Sequence, residues 1–281
     1  MKKLKEYDEL EFTDDFMFWN ILVSEPDICK ELLELILDVE IIKICQPENQ
    51  KSIETTYKGK GIRLDVYVND ENGTVYDLEM QTTVKDELPK RMRYYQGMID
   101  LNLIKRGSLY TDLRKTFIIF ICTDDPFDRR LPIYRFEYYC AGDYSLKLND
   151  DTVKIVVNPN CDRTGLSDEM NGFLDLLLGK KSDSGLAGRI SEAVKDAKDL
   201  RKWEVNYVTL EMMIKEEREE ARKEGRVEGR AEGRAEATES IVLEFVASGE
   251  LLPASGAKRL NITVEQLKEK MESKGFNTSG F

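Results

Sequence analysis

Residues 77–81 read DLEMQ, and residues 62–69 read IRLDVYVN. Side chains alternate along a strand, so Asp77, Glu79 and Gln81 share one face, with Leu78 and Met80 on the other. The intervening DENG is turn chemistry, and the two stretches read as a β-hairpin. With the loop at 70–74, Asn69 faces Val75, which sets Asp65 opposite Glu79 and Tyr67 opposite Asp77. The apolar sets support that parity: Leu64, Val66 and Val68 fall with Tyr76, Leu78 and Met80, leaving Asp65, Glu79 and Gln81 together. Directly opposed residues have Cβ atoms about 4.5–5.5 Å apart, where like charges repel. A divalent cation such as Mg²⁺, which takes hard oxygen ligands, removes the repulsion. Neutralisation by Arg63 is a second solution, and a solvated polar strand face is a third.

The chemistry available elsewhere is narrow. There is no histidine in the 281 residues. Ser-His-Asp, Cys-His and imidazole–zinc sites are excluded, so catalysis would rest on carboxylates, Lys, Tyr, Cys or a metal. Cys29, Cys45, Cys122, Cys140 and Cys161 are odd in number and form no CxxC pair. They read as free thiols, mostly buried, in a reducing compartment. No apolar run reaches membrane-spanning length, and the opening MKKLKEYDELEF lacks an apolar signal core. The expected location is the cytoplasm. A net charge of −12 argues against a surface coated in DNA-binding charge, yet residues 85–115 carry eight Lys/Arg against four Asp/Glu.

The elements that must position these residues follow from the pattern. Residues 14–38 read as two helices broken near Pro26, with Asp14 or Asp15 as N-cap. Residues 88–106 read as a helix with Pro89 in its first turn. That helix carries Lys90, Arg91, Arg93, Tyr94, Tyr95 and Gln96. Helical spacing brings Arg93 and Gln96 near one face, and groups Tyr95 with Met92 and Ile99 as a core stripe. KTFIIFICT is a buried strand, and RFEYYC and VKIVVN are further strands. Residues 166–178 and 186–200 look helical. An α/β or α+β domain over residues 1–205 follows.

Residues 206–237 form a charged helix with an EGRx repeat, and residues 238–281 a small helical region. Glu220, Glu224, Glu228, Glu232 and Glu236 make one i,i+4 row, and Arg222, Arg226, Arg230 and Arg234 another. Like charges four apart repel along a helix. Gly225, Gly229 and Gly233 lie between the rows, each costing about 0.8–1.0 kcal/mol against alanine. In a parallel homodimer packed on the glycine stripe, each Glu row meets the partner's Arg row; an antiparallel pair would set Glu against Glu. The other reading is a flexible, solvated linker. Beyond it, AKRLNITVEQLKEKM, with Thr263 as a cap, has a weak helix-turn-helix flavour.

DDFMFWNIL, GIRLDVYVND, YDLEMQ, KRMRYYQGMID and FIIFICTDDPF, followed by the EGR tail, resemble in order the bacterial recombination-promoting nuclease and transposase-like family of the PD-(D/E)xK nuclease superfamily. The resemblance covers roughly residues 10–160. It implies a four-stranded mixed core sheet flanked by helices, a C-terminal helical extension, and a Mg²⁺-dependent (or Mn²⁺-dependent) DNA endonuclease. Asp65 takes the superfamily aspartate position, Glu79 the (D/E) position, and Gln81 stands where the motif has lysine. Asp65, Glu79 and the Met80 carbonyl would hold the metal, with Asp14, Asp15 and Gln96 as supporting residues and Lys90, Arg91 and Arg93 on DNA. Gln81 departs from the superfamily pattern. It is neither a base nor a cation, though it can orient water and hydrogen-bond a phosphate. The alternative implied by that departure is an inactive protein that keeps the fold for assembly or DNA binding.

Overall fold

The computed structural model describes residues 5–54, 60–83, 86–182, 185–276 and 278. Lys85, part of the basic excess noted above, lies outside them. Two compact units divide the chain, residues 1–207 and 208–281.

The first unit is built on a six-stranded mixed sheet in the order β1-β2-β3-β4-β8-β5. Its strands are β1 (Glu48–Ile53), β2 (Ile62–Asn69), β3 (Val75–Gln81), β4 (Thr116–Cys122), β5 (Ile133–Phe136) and β8 (Thr152–Val157). The expected four strands become six because a polar strand, ENQKSI, joins the edge beside β2 and IYRF closes the other edge. The β2–β3 hairpin has the expected register, with Asn69 paired to Val75 and Tyr67 to Asp77. Its turn is held by Asp70, whose carboxylate accepts from the N–H groups of Asn72 (2.9 Å) and Thr74 (2.8 Å) and from the Tyr76 hydroxyl (2.9 Å). Gly73 takes φ 81° there, a conformation that disfavours any side chain. β3 runs parallel to β4, and β4 parallel to β8. All seven residues of β3 and of β4 are buried. The stretch read as one strand over 135–140 divides: β5 pairs with β8, while β6 (Tyr139–Cys140) pairs with β7 (Asp143–Lys147).

The helices are α1 (Asp15–Ser24), α2 (Pro26–Leu37), α3 (Leu88–Leu103), α4 (Asp168–Leu177) and α5 (Gly185–Asp199). Pro26 starts α2 in its first turn, where the missing N–H costs nothing. α3 covers the sheet face that carries Tyr67, Ile118, Phe120 and Val156, burying Met92, Tyr95, Met98 and Ile99 against it. That packing turns the polar face of β3 into interior. Asp77 and Glu79 are each 0% exposed, so the solvated-face reading fails.

The second unit contains most of α6 (Glu204–Ala247), with α7 (Pro253–Leu260) and α8 (Val264–Ser273). Every residue from 215 to 238 is exposed. Val242, Leu243, Val246, Ala257, Leu267 and Met271 form a small core at its end. Thr263 caps α8 in a reciprocal box with Gln266. No helix among the described residues is long and apolar enough to cross a membrane.

Candidate active site

The β2–β3 ladder stops at Val66–Leu78. One residue further, the carboxylates take the place of the ladder. The Asp65 N–H donates to Glu79 Oε1 at 2.9 Å, and the Met80 N–H donates to Asp65 Oδ2 at 3.2 Å. The strand on the other side of β2 is also distorted here: Gln50 has φ 48°, and Gln50 and Asp65 are left out of the β1–β2 register, between Asn49–Val66 and Lys51–Leu64. Asp65 therefore sits in a local opening of the sheet, with its charge and that of Glu79 side by side.

Arg91 closes the cluster from α3. Its Nη2 donates to Glu79 Oε2 and its Nη1 to Gln81 Oε1, both at 2.7 Å, and its Nε donates to the Tyr95 hydroxyl at 3.0 Å. The guanidinium also lies over the rings of Tyr95 (5.0 Å) and Phe120 (4.9 Å). The fork geometry of arginine suits this two-acceptor clamp. Gln81 is held at both ends, since its Nε2 donates to the Thr83 carbonyl at 2.5 Å.

The other expected residues divide. Asp15 is the member of the Asp14–Asp15 pair whose charge acts on Asp65. Asp14 occupies the N-cap position but makes no side-chain cap; it turns back to the Glu11 N–H (2.8 Å) and to Lys5 (2.6 Å). Lys90 and Arg93 are exposed, whereas Arg91 spends its donors on the interior. Gln96 is buried and donates to Asp100 at 3.0 Å, not to the carboxylate cluster. Arg63 is exposed and influences Asp15 and Asp65 only through its field.

Asp77 was visible in DLEMQ but carried no assigned role. It is fully buried, and neither carboxylate oxygen has a hydrogen-bond donor among the described residues. Its neighbour is Glu79, whose carboxyl is pushed up by burial and then by the charge of Asp77. Burial, then the charge of Asp65, hold the Asp77 carboxyl well above its ordinary range. Asp65 is pushed up to about 6, first by burial and then by Asp15, against the Met80 N–H, Arg91 and Arg63. Burial raises Glu79 and Asp15 too. Glu79 has Arg91 at 2.7 Å as a counter-charge, whereas Asp77 has no donor among the described residues.

A pH dependence follows. Unfolded carboxyls titrate near pH 4. Between there and the raised folded values, the folded chain binds more protons than the unfolded one, so these groups make stability fall as pH rises. Carboxyls held low, such as Asp125 and Glu34, contribute the opposite slope. The informative quantity is the difference between wild type and Asp77→Asn, melted in chelator from about pH 4 to pH 7. Asp77→Asn should melt higher near neutrality, with the gap closing towards acid. A variant less stable than wild type at neutral pH would rule out this crowding of charge.

Among the described residues, no three acidic side chains converge as a ready-made metal cage. Mg²⁺ seldom uses one: it keeps several waters and takes one or two carboxylates. Asp65 and Glu79 offer hard oxygens, and the excess of Asp15, Asp65, Asp77 and Glu79 over Arg63 and Arg91 favours an added cation. The donor chemistry fits a hard divalent ion. No curated protein and no solved structure matches the chain significantly. Residues 12–139, which hold every carboxylate of this cluster, match the family described as PD-(D/E)XK nuclease family transposase.

Proposed function

We propose that the protein is a divalent-cation-dependent DNA endonuclease. The observation that carries this reading is the opening of the hairpin at Asp65 and Glu79, where a half-buried and a buried carboxylate replace a strand ladder. Nucleases of this family generally use divalent metals. Asp65 and Glu79, with the Met80 carbonyl, would hold Mg²⁺ or Mn²⁺. When bound, the cation supplies Lewis acidity towards the attacking water and the scissile phosphate. The chain's own residues prepare that position. The two strand N–H groups fix the carboxylate orientations, and Arg91 fixes Gln81. Gln81 cannot take a proton, so its part is to orient. Lys90 and Arg93, exposed on α3, would bind phosphates. The free thiols suit a reducing cytoplasm.

One contact favours the second reading, a non-catalytic protein that keeps the fold: Arg91 already neutralises Glu79. Nicking of supercoiled plasmid, with Mg²⁺ or with chelator, separates the two. Cleavage that needs the metal and disappears in Asp65→Ala supports the nuclease. Equal activity in that variant would sink the assignment.

The tail we read as a parallel homodimer helix. A Cβ added at Gly225, Gly229 or Gly233 would meet nothing within 4 Å in the single chain. Replacing all three by alanine should therefore raise helix content, by about 0.8–1.0 kcal/mol per site. It should also weaken self-association, because the close-approach stripe is filled. Sedimentation and circular dichroism together test this; a triple variant that associates as tightly as wild type would refute packing on the stripe.

A further inference from the structure

On the side of α3 away from Arg91 lies a groove of about 330 Å³, lined by Met92, Arg93, Phe127, Phe136, Tyr138 and Lys154. Phe127 packs edge-on against Tyr134 (4.9 Å) and Phe136 (5.2 Å), which fixes an aromatic wall. Phe136 is still 43% exposed and Tyr138 49%. The Lys154 ammonium lies 5.1 Å from the Tyr138 ring. The one acid in the lining, Glu137, is neutralised by Arg135 (2.9 Å) and Lys147 (2.7 Å). Asp100 acts on Lys154. Arg93, Arg135, Lys147 and Lys154 thus outnumber Glu137, Asp100 and Asp150, in a chain whose net charge is −12.

Accessible aromatic faces among cations are the chemistry of single-stranded nucleic acid, where bases stack and phosphates pair. A duplex keeps its base faces stacked inside and has none to offer. The groove's place matters as well. Arg91 and Arg93 project from nearly opposite sides of one helix, one towards Glu79 and the other into the groove. A helix is about 10 Å across with its side chains, on the order of three nucleotide rises of 3.4 Å. We propose that the groove holds an unpaired base of the strand whose phosphate lies at the carboxylates, so that the preferred substrate is DNA with a single-stranded segment beside the cut. This rests on the nucleic-acid reading of the carboxylate site.

The test is binding of the full chain in chelator, where no cleavage intervenes. Fluorescence anisotropy would compare a labelled oligodeoxythymidine with an abasic oligomer of equal length. Stacking contributes about 1–3 kcal/mol per base, so wild type should prefer the thymidine oligomer about 5- to 150-fold. Tyr138→Ala should remove most of that preference and Tyr138→Phe retain it. Lys154→Gln should weaken both oligomers alike and lower the salt dependence. Equal binding of the two oligomers by wild type would overturn the proposal, as would an unchanged preference in Tyr138→Ala. So would a Tyr138→Ala chain altered only in self-association, which would mark the face as a protein contact. None of these results touches metal-dependent nicking of duplex plasmid, so the groove and the nuclease can fail separately.

Discussion

Glu79→Gln should lower metal-dependent plasmid cleavage by more than about a hundred-fold and leave the protein folded. Loss of an outer-shell partner of a metal site typically costs about 10–100-fold, and loss of a ligand should cost more. The fold survives for a local reason. Glutamine keeps an oxygen for the Asp65 N–H, which Glu79 Oε1 now accepts at 2.9 Å. It also removes one charge from a cluster in which Asp15, Asp65 and Asp77 remain. Its amide cannot satisfy Arg91 as a carboxylate does, which offsets that gain. The melting temperature should therefore change little, while the Mn²⁺ isotherm collapses. Retained cleavage with a lost isotherm, or the reverse, would separate the metal from the chemistry. Retention of both would remove Glu79 from the site.

The hairpin was legible because two independent signals agree on its register. The DENG turn sets the loop, and the apolar parity allows no one-residue slip. Both α1 and α2 were legible from Pro26 and from apolar spacing. The strands that escaped are those with no alternation to read. In β1, ENQKSI buries only Ile53 fully, and β7 is exposed or half-buried throughout. Their places come from backbone pairing with a neighbour, which side-chain patterns do not encode.

In the site, alternation put Asp65, Glu79 and Gln81 together but could not say whether their face was covered. That depends on α3, a tertiary partner, and it is why the burial of Asp77 could not be read from DLEMQ. Of the adjacent pair Asp14 and Asp15, only the position of the helix start decides which one's charge acts on Asp65. Arg91 had a usable signal. Arg91 and Tyr95 are four apart, the spacing at which helical side chains meet, and Tyr95 was already placed in the core. An arginine tethered to a core tyrosine points inward, which under the proposed function leaves phosphate binding to Lys90 and Arg93.

That inward arginine gives the second large effect. Arg91→Met should destabilise the protein by about 3 kcal/mol at neutral pH, the lower part of the range for stripping one partner from a buried ion pair. Glu79 is 0% exposed and would lose its counter-charge, while Gln81 Oε1 would lose its donor. The cost is capped because Glu79 can take up a proton instead, so it should shrink as pH falls towards 4. Arg91→Lys should be intermediate, since an ammonium cannot hold Glu79 and Gln81 as a fork does. The decisive comparison is the double-mutant cycle. If the cost arises from an uncompensated Glu79, then Arg91→Met should cost much less in the Glu79→Gln background, with a coupling energy of about 1–3 kcal/mol. Added Mg²⁺ should also rescue the melting temperature of Arg91→Met more than that of wild type, because it restores a positive charge where one was taken away. Additive single effects would mean that Arg91 acts by packing on Tyr95 and Phe120, and that the carboxylates are balanced by something else.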